Sequence, residues 1–386
     1  MEVKVTSDCE ERSALIDSAV VVQETDGPSS LKDLTVNVAS QGSLQPEVSR
    51  PSHRSSRLLF TGVTVLVCAA VACAIVGVTV VGSPSAEATT TRSQHRRSTE
   101  QVELVRLSAD KARETGAYCL DGTVPAYYFM RGFSGGEDKW RVVLEGGGYC
   151  ESLAQCYAHS FTEFGTSRVL RPVPAGLGGF LSNNPDSNPE FYNWNTVFVH
   201  YCDGSSFTGN RPEPVTYRGK TLYFRGSRIL DAILNDLLEN RGLRNAERVI
   251  LAGNSAGGMA VFRHADHVRS MLPSRVQFAA LPGSALFVWD PRQIQRAIIR
   301  HATVHGMLDG PDFPACTRAY PQGERWKCLL PQFAVTQVQS PMFVLHSAYD
   351  AWVLRNILRI ECSTQSCFNP VFTQALSRRS KLMSSS

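Results

Sequence analysis

The sequence has little net charge and no long run of one sign. Its 386 residues include 39 Lys and Arg against 35 Asp and Glu, a formal charge of +4, and no more than two basic residues are consecutive. Nucleic-acid-binding proteins instead carry clustered basic surfaces. We therefore predict no nucleic-acid partner. With 43% hydrophobic residues, a chain of this length can bury one large core.

One stretch of the chain lacks charge altogether. Residues 58–86 contain no Asp, Glu, Lys or Arg, and their middle, VTVLVCAAVACAIVGVTVVG, is long enough to cross a hydrocarbon core as a helix. The alternative, a cleaved signal peptide, would have a shorter apolar stretch close to the N-terminus. We therefore predict a transmembrane signal-anchor helix at 58–82. Arginines flank both of its ends, so charge does not orient it.

The regions on either side of this stretch are poor in apolar residues. Residues 1–57 are rich in Ser, Glu, Asp and Pro and poor in aromatics, which is typical of a disordered tail, here placed in the cytosol. Residues 83–101 have the Ser/Thr-rich composition of a stalk. The sequence thus predicts a folded domain at 102–386 on the lumenal or extracellular side of a single-pass protein of the secretory pathway.

The cysteines lack the spacing of a zinc site, because no C-x2-C occurs and no His stands at ligand spacing beside them. An even number, eight of eleven, follows the predicted helix. Outside the cytosol such a set favours disulfides. Their spacing predicts three local bridges and one remaining pair: Cys150–Cys156, Cys316–Cys328, Cys362–Cys367 and Cys119–Cys202.

No internal repeat is visible, and the folded part alternates strand-like and helix-like segments. Short β-branched runs predict buried strands at 141–145, 195–201, 248–253, 275–283 and 341–348. Residues 224–240 carry apolar residues on one helical stripe. This alternation predicts a doubly wound α/β fold with a mostly parallel sheet.

The segment Gly253-Asn254-Ser255-Ala256-Gly257 fits the pattern G-x-S-x-G. By chance the pattern occurs ~0.1 times in a chain of this length, so its context must decide its meaning. Here it follows a predicted strand and precedes a predicted helix, the context of a nucleophile elbow. A Gly/Ser loop without chemistry is the alternative. The strand–turn–helix context favours Ser255 as a nucleophile.

Two further segments supply what such a nucleophile needs. LEGGGYC, at 144–150, places three glycines after a predicted strand, where backbone N–H groups can stabilise an oxyanion together with Ala256; a plain turn is the alternative. Asp350 follows the last predicted strand and is a candidate to orient a histidine, although it could equally cap the next helix. Asp290 and Asp309 are weaker candidates, since neither follows so clear a strand.

Five segments in this order, LEGGGYC, YCDGSSFTGN, LYFRGSRILDAILNDLL, GNSAGGMA and HSAYDAWVL, resemble the pectin acetylesterase family, whose animal branch includes the Wnt deacylase Notum. The resemblance covers roughly residues 105–378. It implies an α/β-hydrolase-like serine carboxylesterase that needs no cofactor or metal and removes acetyl or longer acyl groups from a polysaccharide or a protein. It places the nucleophile on Ser255, the acid on Asp350 and the oxyanion donors on Gly147, Gly148 and Ala256.

The sequence departs from this family in its histidines. The resemblance implies a base in a Cys-flanked motif after the acid, yet all nine histidines precede Asp350. We therefore expect that the sequence stops a segment short of this motif, or that the chain is a non-catalytic or weakly active pseudo-esterase that binds its ligand. His346 and His200 are predicted to be buried with their strands, whereas His159, His264 and His267 are predicted at the surface.

Overall fold

A mixed, mostly parallel β-sheet positions the site. The computed structural model describes residues 19–22, 36–38, 102–172, 178–307, 313–347 and 350–359. The strands are, in chain order, β1 Ala19–Val22, β2 Val36–Val38, β3 Glu103–Arg106, β4 Ala126–Met130, β5 Lys139–Leu144, β6 Asn195–Val199, β7 Val215–Tyr217, β8 Lys220–Leu222, β9 Arg248–Asn254, β10 Gln277–Gly283 and β11 Val344–Ser347.

The order of the strands explains how distant segments meet. The described sheet runs β2-β1-β11-β10-β9-β5-β6-β4-β3, while β7 and β8 form a separate hairpin. Its five central strands, β11 to β6 in that order, are parallel to one another, and the outer pairs are antiparallel. The carboxyl ends of the five central strands therefore meet at one edge, where open α/β sheets bind ligands.

Helices connect the strands. They are α1 Ala109–Thr115, α2 Leu153–His159, α3 Gly226–Asp236, α4 Ala256–Met271, α5 Pro291–His305, α6 Pro314–Ala319, α7 Pro331–Ala334 and α8 Ala351–Asn356. A π-helical turn at Leu237–Arg241 extends α3, and Gly242 ends it in the left-handed region at φ +94°. The predicted helix at 224–240 is therefore present, with its last turn wider than an α-helix.

The predicted strands and the α/β class are confirmed. Each of the five predicted runs overlaps one of the parallel strands β5, β6, β9, β10 and β11. The strands are buried because helices cover them: Val249 and Leu251 of β9 belong to the same apolar cluster as Ala260 and Val261 of α4. The antiparallel strands β1 to β4 and the β7–β8 hairpin were not predicted.

Three of the four predicted disulfides are present: Cys119–Cys202, Cys150–Cys156 and Cys316–Cys328. Cys362 and Cys367 lie outside the described residues. The first bridge joins the segment after α1 to the end of β6, and the second closes a loop of six residues directly after the glycine segment. Bridges of this kind constrain the unfolded chain and thereby stabilise the fold.

The predictions for the N-terminal part lie mostly outside the described residues. Of the predicted tail at 1–57 only the strands β1 and β2 are described, and the segments at 58–82 and 83–101 are not. In the part of the chain that is described, no helix has the length and apolar character to span a bilayer. The tail, the anchor and the stalk stay predictions.

Candidate active site

Ser255 occupies a sharp turn between β9 and α4. Its backbone has φ +54° and ψ −121°, a conformation that a residue with a side chain adopts only when the surrounding structure imposes it. Its N–H donates to the carbonyl of Gly283 at the end of β10, at 3.0 Å. The turn also needs a glycine at 257, because a Cβ there would lie 2.0 Å from the carbonyl oxygen of Leu144. The geometry is that of a nucleophile elbow.

The helix that follows Ser255 directs its positive end at this turn. α4 spans 16 residues and begins at Ala256, which is buried. The first N–H groups of a helix have no partner within the helix, and the helix dipole adds partial positive charge there. The N–H of Ala256 is therefore suited to stabilise negative charge that develops next to Ser255.

The glycine segment after β5 lies against the elbow. A Cβ on Gly146 would lie 2.4 Å from the carbonyl oxygen of Asn254 and 3.2 Å from the Cβ of Ser255, so only glycine fits. Gly147 packs against the ring of Tyr201, and Gly148 is exposed with φ +73°. The sequence placed Gly146 among the three glycines after the strand, but it did not predict the contact of Gly146 with the elbow.

A hydrogen bond between the buried His200 and the half-buried Glu145 fixes the start of this segment. His200 Nδ1 lies 2.8 Å from Glu145 Oε2, which also accepts the N–H of Tyr201 at 2.8 Å. The other nitrogen of His200, Nε2, lies 3.2 Å from the carbonyl oxygen of Thr166. The two residues meet because β5 and β6 are parallel and in register, with Leu144 opposite Val199. Both nitrogens of His200 thus face structural partners, and sequence reasoning missed this pair.

Asp350 lies at the same sheet edge, three residues past the end of β11. It is half-buried and caps α8, accepting the N–H of Val353 at 2.9 Å. β11 is attached to β10 through the N–H of Ser284, which donates to the carbonyl of Leu345 at 2.8 Å. The predicted capping role is confirmed. Asp290 also caps a helix, α5, and Asp309 lies outside the described residues.

The described histidines differ in part from expectation. His346 is buried in β11, and its ring packs edge-on against Phe287, as predicted. The prediction for His264 is wrong: it is 1% exposed on α4, because this helix is covered on more than one side. His267 is half-buried and lies 2.6 Å from Asp231 of α3. His159, at the end of α2, is half-buried, and burial lowers its pKa.

A buried polar cluster lies behind the glycine segment. Asp203 is 1% exposed, and burial raises its pKa from 3.8 to about 7, while the backbone N–H groups of Phe207 and Ser205 oppose this rise. The cluster also contains His301 and His305 of α5, which are buried. Burial lowers the pKa of His301 to about 4. His305 Nε2 lies 2.8 Å from the carbonyl oxygen of Cys150, to which it can donate.

The comparison with known families decides the assignment. The pectinacetylesterase family profile matches residues 96–379, which include the glycine segment, the elbow and Asp350. The chain belongs to the pectinacetylesterase family. The resemblance noted in the sequence is thereby confirmed.

Relatives with known names are carboxylic ester hydrolases. Pectin acetylesterase 5 of Arabidopsis thaliana is 37% identical over 260 residues, 66% of this chain and 60% of the relative. The palmitoleoyl-protein carboxylesterase NOTUM of Schmidtea mediterranea is 31% identical over 250 residues, 61% of this chain and 47% of the relative. The chain thus spans about 60% of the length of that plant relative.

A solved structure supports the fold. The Wnt deacylase Notum from Drosophila superposes with a TM-score of 0.62 and 24% identity, covering 73% of this chain and 81% of that one. At this identity the likeness concerns the fold, which is α/β with a mixed, mostly parallel sheet. The α/β-hydrolase-like prediction is supported to that extent.

Because the carboxyl of Asp203 is buried, we expect the stability of this member of the pectinacetylesterase family to depend on pH. Its pKa is raised to about 7 in the folded state, so folding favours the protonated form. The contribution of protonated Asp203 to the free energy of unfolding is complete below the ordinary pKa of 3.8. It is lost as pH rises to about 7. Three pKa units correspond to ~4 kcal/mol.

Asp203→Asn removes this titration and nearly preserves the shape of the side chain. As pH rises from 4 to 8, we expect the parent to lose up to ~4 kcal/mol of unfolding free energy relative to the variant. Urea unfolding at several pH values measures it. A difference that does not change with pH would show that Asp203 does not titrate in this range.

Proposed function

We propose that this pectinacetylesterase family member is a serine carboxylesterase whose nucleophile is Ser255. The observation that carries the proposal is the backbone of Ser255, held at φ +54° between a buried strand and a helix N-terminus, with Gly146 packed against it. Strained residues of this kind cluster at active sites, where the surrounding structure holds them in place. The names of the relatives support the same class of reaction.

In the proposed reaction, Ser255 Oγ attacks the carbonyl carbon of the ester. Its proton passes to a base, and the carbonyl oxygen becomes an oxyanion that accepts hydrogen bonds from the N–H groups of Gly147, Gly148 and Ala256. Collapse of this intermediate expels the alcohol, which takes the proton from the base, and leaves an acyl-serine. Water then attacks the acyl-serine in the same way and releases the carboxylic acid.

The base follows the acid in the order Ser…Asp…His of this fold class. The nine histidines of the sequence all precede Asp350. From the family resemblance we propose that the base is a histidine in a Cys-flanked motif after the acid. Asp350 orients this histidine and stabilises its protonated form. Turnover assays therefore use a fusion of this chain to the C-terminal segment of the Arabidopsis relative, here called the fusion.

We propose that a cavity next to the glycine segment receives the acyl group, and its size favours a short one. Among the described residues, a cavity of about 20 Å³ is lined by Tyr149, Ser206, Met259, Ile298 and Leu329. Met259 lies one helical turn after Ser255, and its N–H donates to the carbonyl of Ser255 at 2.9 Å. This space holds little more than one water-sized group, whereas pockets for larger ligands measure hundreds of Å³. We therefore propose acetyl as the acyl group.

A chain-length series tests both the esterase and its acyl preference. With p-nitrophenyl esters as substrates of the fusion, we expect kcat/KM to be highest for the acetate and about 100-fold lower for the octanoate. The longer acyl chain requires side chains to move out of a packed cavity. Phe262 also lines the cavity, so Phe262→Ala enlarges it. We expect this variant to have a smaller difference in kcat/KM between acetate and octanoate than the parent. Equal rates for both esters would contradict the short-acyl proposal, and no hydrolysis of either would contradict the esterase.

The substrate carrier and the compartment are proposed together. The disulfides agree with a secretory protein. We propose an acylated polysaccharide or an acylated protein as substrate, because the relatives are named for pectin acetyl esters and for palmitoleoylated protein. The predicted helix at 58–82 would hold the domain at a membrane on the lumenal or extracellular side.

A further inference from the structure

The loop that follows β6 lies between the glycine segment and the elbow. Residues 203–209 are almost entirely buried, and Ser206 and Phe207 have φ of +52° and +55°. Two consecutive non-glycine residues in the left-handed region are held there by their surroundings. The proposed reaction gives this loop no role.

The hydroxyl of Ser206 joins the glycine segment to the elbow. Its Oγ lies 2.6 Å from the carbonyl oxygen of Ala256 and 2.7 Å from the hydroxyl oxygen of Tyr149. A carbonyl only accepts, and a serine hydroxyl has one proton to donate. Ser206 therefore donates to Ala256 and accepts from Tyr149, which runs the bonds in one direction from the glycine segment to α4.

Tyr201 makes a second connection through the same loop. Its hydroxyl accepts the backbone N–H of Ser206 at 3.1 Å and donates to the carbonyl of Gly148. Burial raises the pKa of Tyr201 and of Tyr149, so both hydroxyls keep their protons. The ring of Tyr149 also stacks on His301 at 4.7 Å, which limits its movement.

We propose that Ser206 is a positioning residue for the oxyanion hole. It bonds to the elbow residue Ala256 and, through Tyr149 and Tyr201, to the glycine segment, and so fixes the distance between the two sets of N–H donors. Its bonds are to carbonyl oxygens and hydroxyls, which leaves the N–H groups of Gly147, Gly148 and Ala256 for the oxyanion. This inference rests on the proposed esterase function.

The neighbouring Ser205 provides a matched control. It is fully buried, but its Oγ lies 3.2 Å from His301 Nε2 and 3.3 Å from Thr208 Oγ1, away from the elbow. Ser205→Ala and Ser206→Ala thus each remove one buried serine hydroxyl from the same loop. A role in stability alone predicts that their activities fall in parallel with their unfolding temperatures.

The test compares the two variants in the fusion with p-nitrophenyl acetate. We expect Ser206→Ala to lower kcat about 10- to 100-fold with KM changed less than about 3-fold, and Ser205→Ala to lower kcat less than about 3-fold. Methylboronic acid forms a tetrahedral adduct with a serine oxygen. We expect its affinity for the full chain to fall by a similar factor in Ser206→Ala and to stay near that of the parent in Ser205→Ala. Equal kcat values for the two variants would overturn the proposal.

Two further variants separate the possible failures. Tyr149→Phe removes the hydroxyl that donates to Ser206 and keeps the ring, so it tests the same connection if Ser206→Ala does not fold; we expect a loss in kcat of about 3- to 10-fold. A Tyr149→Phe variant with the kcat of the parent would also overturn the proposal. If Ser255→Ala retains the activity of the parent, the proposed nucleophile is wrong, and if it abolishes activity while Ser206→Ala does not lower it, the positioning role alone is wrong.

Discussion

Replacing Ser255 by alanine is expected to lower kcat of the fusion on p-nitrophenyl acetate by about 10⁴- to 10⁶-fold. The variant loses the only oxygen that forms the acyl-enzyme, while the oxyanion donors and the substrate site remain. KM should therefore change little, and the residual rate should come from binding and oxyanion stabilisation. Steady-state kinetics with purified protein measure both quantities.

Ser284 offers a matched control for this experiment. It follows the end of the neighbouring strand β10, has φ +45° and is half-buried, so Ser284→Ala changes a serine that also has a positive φ at the same sheet edge. We expect this variant to keep at least about one third of the parental kcat, because its contact with Leu345 uses the backbone N–H. If Ser284→Ala lowered kcat as much as Ser255→Ala does, the loss of kcat in Ser255→Ala would reflect disturbed folding.

Asp350→Asn is expected to lower kcat of the fusion by about 10⁴-fold and to leave the unfolding temperature nearly unchanged. Asparagine caps a helix about as well as aspartate, so the bond to the N–H of Val353 survives. The negative charge that stabilises a protonated histidine does not survive. This variant thereby separates the helix cap of Asp350 from its proposed role in orienting the base.

Asp350→Ala completes the comparison. It removes the charge and the cap together, so we expect the same loss of kcat and an additional loss of stability of ~1 kcal/mol. Circular dichroism during thermal unfolding measures the second effect. An Asp350→Asn variant with the activity of the parent would show that Asp350 serves α8 alone and that another carboxylate orients the base.

The sequence predicted those parts of the fold that depend on local pattern. Continuous β-branched runs predicted all five parallel strands, because strands buried on both faces need apolar residues throughout. The elbow was predictable because small residues around Ser255 and the strand before it are adjacent in sequence. The cysteine pairs were predictable where the two residues lie close along the chain, as in Cys150–Cys156.

The parts that depend on contacts between distant segments were missed. Glu145 and His200 meet only because β5 and β6 pair in register, and neither segment alone shows this. His264 was misplaced because a single helical residue does not reveal how many sides of α4 are covered. Strands β3 and β4 were missed because they lie at the antiparallel side of the sheet, away from the alternation of strands and helices.

If Ser255 is the nucleophile, it forms a covalent bond with the acyl group, and an irreversible inhibitor can trap this serine. The fusion is treated with an alkyl fluorophosphonate, which transfers its phosphonyl group to an activated serine with release of fluoride, and is then digested for mass spectrometry. We predict one phosphonyl group per chain, on the peptide that contains Ser255, and none in Ser255→Ala. An unlabelled protein, or a label on another residue, would contradict the assignment of Ser255 as the nucleophile, and an unlabelled protein would favour a binding protein that keeps the fold without the chemistry.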